Sequence, residues 1–392
     1  MAHQQLRVLV GSLAPGVLPS TQPAKMPAGT IMLDLGSEHP SHAGLIELRL
    51  WTEDDVITTA RVVVGAMHRG AEKLFEVRDY RQILMLADRH DWQAPFFGEL
   101  AVAMICEQMM GLTVPDRAVW LRTLLAEHTR ILSHCGFLVY VPHRLSRDPG
   151  LRDLREQLRT QTLRLTGNRI HPMATRVGGL GVDADDAWLR AERQVAEQAS
   201  RMAEAVLAMI DSAEFSALTS GVAVLDRDTI GQFGVSGPAA RASGVDLDLR
   251  RQRPYLAYAE LAGMITPPTR HSGDAHARLG VLAGADHQRV VDHRLHRATP
   301  GPVRSGLCQA GQDHPHTGGR GLCEYRGASR HRRRVSGLSW REDPVATQAA
   351  YPLVQQHLLP GDPAGGRTPR IGGGYPGLDR LRRRRHRQMT VA

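Results

Sequence analysis

Apolar residues near the start of the chain alternate with polar ones or run together in short stretches between turn residues. IMLDLG, LIELRLW and DDVITTARVVVG are three such stretches. Alternation of this kind is typical of strands with one buried face. It predicts a small antiparallel β-sheet over residues 31–66. The four prolines in residues 1–30 predict a loose leader before it.

Helical periodicity replaces this alternation from about Arg69. Apolar residues three and four positions apart predict helices in five segments, which are residues 70–90, 94–112, 115–139, 148–168 and 185–212. After about Ser220 the chain is rich in Gly and Pro, which predicts loops and short strands. The pattern therefore predicts an α+β fold that is mostly helical, with a helical core domain over residues 67–282.

The character of the chain changes after about Leu282, where apolar periodicity fades. Residues 285–392 contain 19 Arg, no Lys and 8 acidic residues, a net charge of +11, whereas the whole chain carries +9. This composition predicts a disordered Arg/Gly/Pro-rich tail over residues 283–392. The run of four arginines at 382–385 is also compatible with a patch that binds nucleic acid or anionic lipid.

Several classes of site are not indicated by the sequence. The four cysteines form no CxxC pair, so no thiolate metal or cluster site is predicted. No Walker loop, GxGxxG, HExxH or GxSxG motif occurs, and no uninterrupted apolar run reaches 18 residues. Few cysteines and no signal peptide favour a reducing compartment.

Three polar segments carry candidate chemistry. DLGSEHPSHAG, residues 34–44, has His39 and His42 on a Gly/Pro turn, where they could act as metal ligands or proton donors, or simply form a polar loop. DRHDW, residues 88–92, and NRIHPMATRVGG, residues 168–179, gather further polar side chains. Taken alone, DRHDW favours ion pairs on a helix surface.

These segments, together with VPDRAVWLRTLLAEHTRILSH and GVSGPAARASGVDLDLRRQRPYLAY, follow one another in a specific order and spacing. In this the chain resembles the D subunit of bacterial respiratory complex I, the proton-pumping NADH:quinone oxidoreductase, and most closely its actinobacterial form. The resemblance covers about residues 31–282. It implies a helix bundle like that of the nickel–iron hydrogenase large subunit. The two CxxC pairs that hold the hydrogenase metal are missing here.

The resemblance implies a place in a larger assembly. The D subunit packs against the subunit that carries the terminal iron–sulfur cluster, and quinone enters between the two. NADH, FMN and the iron–sulfur clusters are bound by partner subunits, so this chain is expected to bind no cofactor alone and no nucleic acid. It is expected to lie peripherally on the cytoplasmic face of the bacterial inner membrane, attached through its partners.

The resemblance also assigns site residues. The quinone pocket is expected to include His39, His42, Ala43 and Trp92. Where the family pattern reads HPSTHG this chain reads HPSHAG, so Ala43 stands at the quinone histidine and His42 lies one residue earlier. Trp92 stands at the family's quinone tyrosine. These two departures leave a second hypothesis open, that of a non-catalytic scaffold or assembly paralogue.

Arg89 and His171 match the family's positive or polarisable groups beside the terminal cluster. A cation there favours the reduced, more negative cluster and so raises its reduction potential.

The C-terminal sequence can be read in another frame. Members of the family end in a segment like FVVGDIDR. Codons for LRRRRHRQM, residues 381–389, read one base later can encode Phe-Val-Val-Gly-Asp-Ile-Asp-Arg followed by a stop. The same offset turns LVQQHLL, residues 353–359, into the family-like Ser-Phe-Asn-Asn-Ile-Ser. The sequence therefore predicts a single-base frameshift near Leu282–Ala283, with an out-of-frame tail after it.

Overall fold

The computed structural model describes residues 3–11, 30–34, 46–53, 56–63, 68–139, 141 and 149–286. The chain divides into two compact units, residues 1–359 and 360–392, and every described residue lies in the first. The predicted tail of residues 283–392 lies outside the described residues except for its first four.

Four strands near the N-terminus form one sheet. They are β1 (His3–Gly11), β2 (Thr30–Asp34), β3 (Ile46–Glu53) and β4 (Val56–Val63). Their order is β2-β1-β3-β4. Strand β3 is antiparallel to both β1 and β4, whereas β2 is parallel to β1.

This sheet corrects two predictions. The leader predicted for residues 1–30 contains strand β1, and the sheet predicted as antiparallel has one parallel pair. The prolines of residues 1–30 were expected to prevent regular structure, but β1 ends at Gly11 and the first proline comes after it. The strand predicted from IMLDLG is β2, but it pairs with the missed strand rather than with β3.

The helices follow the predicted segments closely as far as Ile210. In chain order they are α1 (Ala71–Val77), α2 (Tyr80–Asp88), α3 (Pro95–Met110), α4 (Asp116–Leu138), α5 (Leu151–Thr166), α6 (Asp186–Ile210), α7 (Ala213–Thr219), α8 (Arg227–Phe233), α9 (Gly237–Ala242), α10 (Leu249–Gln252), α11 (Tyr258–Leu261) and α12 (Ala275–Asp286). Between α5 and α6, Thr175–Arg176 (β5) and Gly179–Leu180 (β6) form a short hairpin.

Two details differ from the helical predictions. The single helix predicted over residues 70–90 is two helices, because Asp79 accepts a hydrogen bond from the Arg81 N–H and so caps a new helix start. After Ser220 the described residues form short helices, where short strands were predicted. Short apolar runs bounded by Gly and Pro do not distinguish the two elements by periodicity alone.

The core lies in a ring of four helices, in which α4 packs on α5, α5 on α6, α6 on α12 and α12 on α4. Fully buried leucine and isoleucine side chains from these helices meet in one cluster, among them Leu124, Leu154, Leu158, Ile210 and Leu282. Burial of each such side chain contributes about 1.5–3 kcal/mol. The apolar faces predicted for α4, α5 and α6 therefore line this core, whereas α12 stands where loops, short strands and the start of the disordered tail were predicted.

A buried polar triad crosses this core. The Nδ1 atom of His128 in α4 lies 2.7 Å from Glu192 Oε1 in α6, and its Nε2 atom lies 2.9 Å from Thr162 Oγ1 in α5. Both histidine nitrogens are thus hydrogen-bonded, which removes the cost of burying them. The triad fixes three helices in register with one another.

Helices α2 and α3 form a closely packed pair beside α4. Gly98 allows this approach, because a Cβ atom there would lie 2.2 Å from the carbonyl oxygen of Ala87. No other residue could stand at Gly98 without separating the helices. The C-terminal end of α2 is thereby held against α3, and this end carries the candidate site.

Candidate functional site

The C-terminal end of α2 places an acid on the buried face of the helix. Ile83, Leu84 and Ala87 pack inward, and Asp88 follows on the same face with no exposed side-chain surface. A carboxylate in such a position needs hydrogen-bond donors around it. The donors come from the loop that connects α5 to β5, residues 168–174.

Asp88 holds this loop through both of its oxygens. Its Oδ1 atom lies 2.7 Å from His171 Nδ1, and its Oδ2 atom accepts the Met173 N–H at 3.2 Å. Burial raises the pKa of Asp88, while the contacts with His171, Arg89 and Met173 favour the charged form. The carboxylate therefore fixes the direction of the imidazole, which is about one quarter exposed and can reach a partner.

Arg89 lies beside this pair and closer to the surface. Its Nη1 atom lies 3.1 Å from the Met85 carbonyl oxygen, 3.4 Å from Met173 Sδ and 3.8 Å from Asp88 Oδ2. The Arg89 side chain is 44% exposed. One positive charge and one imidazole thus share an accessible edge, both ordered by Asp88.

Met173 is the strained residue of the site. Its φ angle is 45°, which lies in the left-handed region that side chains other than glycine seldom adopt. The hydrogen bond from its N–H to Asp88 compensates part of this cost. The strain positions the Met173 sulfur against Arg89.

A second buried acid holds the next residues of the loop. Glu99 in α3 accepts the Ala174 N–H at 3.3 Å and the Thr175 N–H at 3.0 Å. Burial raises the pKa of Glu99 to about 8, the charge of Asp88 adds to the rise, and the two N–H donors oppose it. Because the ordinary value is 4.5, Glu99 binds a proton more tightly in the folded chain than in the unfolded one.

We expect the folded chain to lose stability as pH rises from about 5 to about 8, because Glu99 must then be ionised in a buried site. The free energy of unfolding at pH 5 and pH 8, measured with urea on the full chain, checks this. The Glu99→Gln variant should lose clearly less stability between the two pH values than the wild type. Glu260→Gln, which changes an exposed glutamate, should match the wild type. An equal loss in all three proteins would contradict the assignment.

A third buried acid completes the support of the loop. Glu107 in α3 accepts the Gly178 N–H at 2.7 Å and forms a two-point ion pair with Arg122 of α4, at 2.6 and 3.0 Å. Arg122 is fully buried and also donates to the carbonyl oxygens of Arg176 and Gly179, each at 2.8 Å. Helices α2, α3 and α4 together hold the backbone from Met173 to Gly179 at six points.

The structure brings together two of the sequence-predicted site residues, Arg89 and His171, through Asp88. Trp92 is half-buried in the turn between α2 and α3, three residues after Arg89. The other predicted quinone residues, His39, His42 and Ala43, lie outside the described residues. The surface ion-pair interpretation of DRHDW is wrong for Asp88, since that carboxylate is buried and binds a distant loop.

The sequence analysis missed the three supporting acids and their arginine. A signal for them was present. Asp88 falls on the apolar stripe of α2, and Glu99 and Glu107 interrupt an otherwise apolar helix eight residues apart. Acids in such positions are rarely left without partners. What the sequence does not give is the partner, because Met173 to Gly179 are far away along the chain.

The described residues show neither a metal site nor a membrane span. Within those ranges, no group of three or more His, Cys, Asp or Glu side chains is arranged to hold a metal ion. Among the helices of the same ranges, none combines the length and the apolar character that crossing a bilayer requires.

Comparison with known proteins gives consistent matches. A family model described as "Respiratory-chain NADH dehydrogenase, 49 Kd subunit" matches residues 151–304. The chain is 44% identical over 290 residues to the NADH-quinone oxidoreductase D subunit numbered 1 of Streptomyces coelicolor, covering 71% of this chain and 75% of that protein. It is 45% identical over 256 residues to the D subunit numbered 2 of Salinispora arenicola, covering 64% and 66%. It is 34% identical over 283 residues to the D subunit numbered 2 of Sinorhizobium medicae, covering 70% and 69%.

Proposed function

The chain belongs to the family of NADH-quinone oxidoreductase D subunits, and from this premise we propose that it is the quinone-site subunit of a proton-translocating NADH:quinone oxidoreductase. In this role it passes electrons from the terminal iron–sulfur cluster of a partner subunit to quinone. The chain itself supplies the wall of the pocket and the charges around it. NADH, FMN and the clusters are bound by the partner subunits.

One observation carries this proposal, namely the ordered pair of Arg89 and His171. Family resemblance assigns both residues to the surroundings of the terminal cluster, and in this chain one buried carboxylate, Asp88, orients both. A fixed positive charge stabilises the extra electron of a reduced cluster. The loop donates backbone hydrogen bonds to Glu99 and Glu107, and these bonds help to keep that charge in one position.

The quinone pocket of this chain differs from the family pattern. We propose that it is formed by Trp92 and by His39, His42 and Ala43. The indole N–H of Trp92 can donate a hydrogen bond to a quinone oxygen but has no acidic hydroxyl to give up a proton. We propose that protons for the reduced quinone come from the histidine turn, re-aimed relative to the family pattern so that His42 is the donor.

Location and partners follow from the same proposal. The chain packs against the subunit that carries the terminal cluster and is attached through it to the cytoplasmic face of the inner (plasma) membrane. Its helix bundle is of the type found in the nickel–iron hydrogenase large subunit. Nucleic acid is not among its partners.

The activity of membranes from the source organism tests this function. In a strain whose gene carries the family reading frame throughout, deletion of the gene is expected to abolish NADH:quinone electron transfer, and His171→Ala at the same locus is expected to reduce it strongly. The matched control is His90→Ala, an exposed histidine on the other side of Arg89, which should leave the rate near that of the wild type. Unchanged activity in the deletion strain would refute the proposal.

Ala43 and Trp92 favour a second candidate, a scaffold or assembly paralogue without quinone chemistry. In a gene with the reading frame repaired, the variant Ala43→His with Trp92→Tyr restores the family's residues, and NADH:quinone activity in membranes separates the two candidates. If the complex is already fully active with Ala43 and Trp92, the paralogue hypothesis is removed. If activity appears only in the double variant, the scaffold function is the better account.

We also propose that a one-base frameshift near Leu282–Ala283 produced the arginine-rich tail. The family match ends at residue 304, about 22 residues after Leu282, and residues 305–392 lie outside it. Resequencing the source DNA tests this. If the codons cannot yield the family-like peptides one base later, the frameshift is excluded. Salt-dependent DNA binding by the full chain would instead favour a nucleic-acid role for the tail.

A further inference from the structure

A second buried polar cluster joins α4 to the segment that contains α10 and α11. At its centre Glu127 accepts hydrogen bonds from the Tyr258 hydroxyl group, from Arg130 Nε at 3.2 Å and from Arg250 Nη1 at 3.2 Å. Arg250 also donates to Asp248 Oδ2 at 2.7 Å. None of these residues contacts the Asp88 site in the described part of the chain, and the proposed function does not use them.

The charges of this cluster do not cancel. Its charged side chains are three arginines and two acids, a net charge of +1, namely Arg130, Arg241, Arg250, Glu127 and Asp248. Burial lowers the pKa of Arg241 to about 10; Asp248 and Asp246 oppose this, and Arg250 and Arg130 add to it. Asp246 is exposed and is paired with Arg251, so it is not counted in the buried cluster. An uncompensated buried charge is costly, so a cluster of this kind is completed by an anion.

Three polar atoms in the cluster have no hydrogen-bond partner among the described residues. They are Arg130 Nη2, Arg241 Nε and the Tyr255 hydroxyl oxygen, all buried. Each of them can donate a hydrogen. The carboxylate groups of Glu127 and Asp248 already accept from other donors. Three unsatisfied donors around a positive charge indicate a missing acceptor.

Two residues of the cluster extend from its buried centre towards the surface. The Arg130 side chain is 14% exposed and lies with its guanidinium 5.1 Å from the centre of the Phe97 ring. Tyr255 is half-buried and packs edge-on against Tyr258, with ring centres 4.8 Å apart. The donor atoms themselves, Arg130 Nη2 and the Tyr255 hydroxyl oxygen, are buried, so an acceptor reaches them only if these two side chains move.

We propose that Arg130, Arg241 and Tyr255 form a binding site for a carboxylate. A carboxylate carries one negative charge, equal to the excess charge of the cluster, and its two oxygens suit guanidinium donors. Phosphate, with nearly two charges, would overcompensate. The carboxylate comes either from an acidic side chain of a neighbouring subunit or from a free anion.

Thermal unfolding of the full chain in acetate tests the site. At constant ionic strength, acetate is expected to raise the unfolding temperature in a saturable way when compared with chloride. In Tyr255→Phe the apparent acetate affinity should fall by about tenfold, as expected for one lost hydrogen bond to a charged group. Tyr80→Phe, which removes the hydroxyl of an exposed tyrosine, should bind acetate like the wild type, and Arg130→Lys should weaken acetate binding as Tyr255→Phe does.

A second measurement distinguishes the two sources. If the carboxylate belongs to a neighbouring subunit, Tyr255→Phe at the chromosomal gene lowers the amount of this chain recovered in the assembled complex. If it is a free anion, recovery is unchanged and only acetate stabilisation is lost. The proposal is overturned if acetate and chloride stabilise the wild type equally, if acetate acts only as an adventitious ion at molar concentration, or if Tyr255→Phe matches Tyr80→Phe in both measurements.

Discussion

Replacing Arg122 by methionine is expected to lower the free energy of unfolding by about 3–5 kcal/mol. Arg122 is fully buried, and its removal leaves the Glu107 carboxylate without its cation and two backbone carbonyl groups without a donor. Domains of this size are stable by only about 5–15 kcal/mol. Urea unfolding of the full chain should therefore show a clear shift of the midpoint.

A matched control is Lys73→Gln, which breaks an exposed ion pair with Glu76 three residues along α1. Exposed pairs of this kind contribute about 1 kcal/mol or less. Each variant breaks one ion pair, so the difference between their losses in unfolding free energy reports the effect of burying the Arg122–Glu107 pair. A loss below about 1 kcal/mol for Arg122→Met would mean that the pair does not support the loop.

The second large effect is expected at Asp88, which positions His171 and Arg89 but does not touch the reacting groups. In Asp88→Ala the imidazole and the Met173 N–H lose their acceptor. A displacement of about 1 Å at a reacting centre can reduce a rate by about a hundredfold. NADH:quinone activity of membranes should fall steeply, while the amount of assembled complex changes less.

Two further variants make this result specific. Asp88→Asn keeps the volume of the side chain but presents an amide donor beside the Met173 N–H, so its activity should lie between Asp88→Ala and the wild type. Asp153→Ala removes an exposed acid from the start of α5 and should leave activity unchanged. Wild-type activity in Asp88→Ala would show that the carboxylate does not order the site.

Much of the helical fold could be predicted because periodicity is a local property. The apolar stripes of α5 and α6 indicated buried faces, and the structure buries them. Strand β1 was missed because a short apolar run before Gly and Pro looked too weak for a strand. The parallel pairing of β1 with β2 depends on the path of the chain between the two strands and has no signature in either strand alone.

The candidate site was only partly predictable, because its contacts join residues that are distant in the sequence. Arg89 and His171 could be named from family motifs, and the structure brings them to one edge. Asp88 could have been found as an acid on an apolar stripe, but its contact with His171 spans 83 residues of sequence. The left-handed backbone of Met173 could not be foreseen, because it results from the loop being held on both sides.

The measurement that tests the central claim most directly is the midpoint potential of the terminal iron–sulfur cluster in the intact complex, followed by electron paramagnetic resonance. The proposal places the Arg89 guanidinium beside that cluster, so Arg89→Gln is predicted to shift the potential to a lower value. Arg81→Gln, which removes an exposed cation from the start of α2, is predicted to leave it unchanged. Equal potentials in the wild type and both variants would contradict the claim that this chain forms the wall beside the terminal cluster.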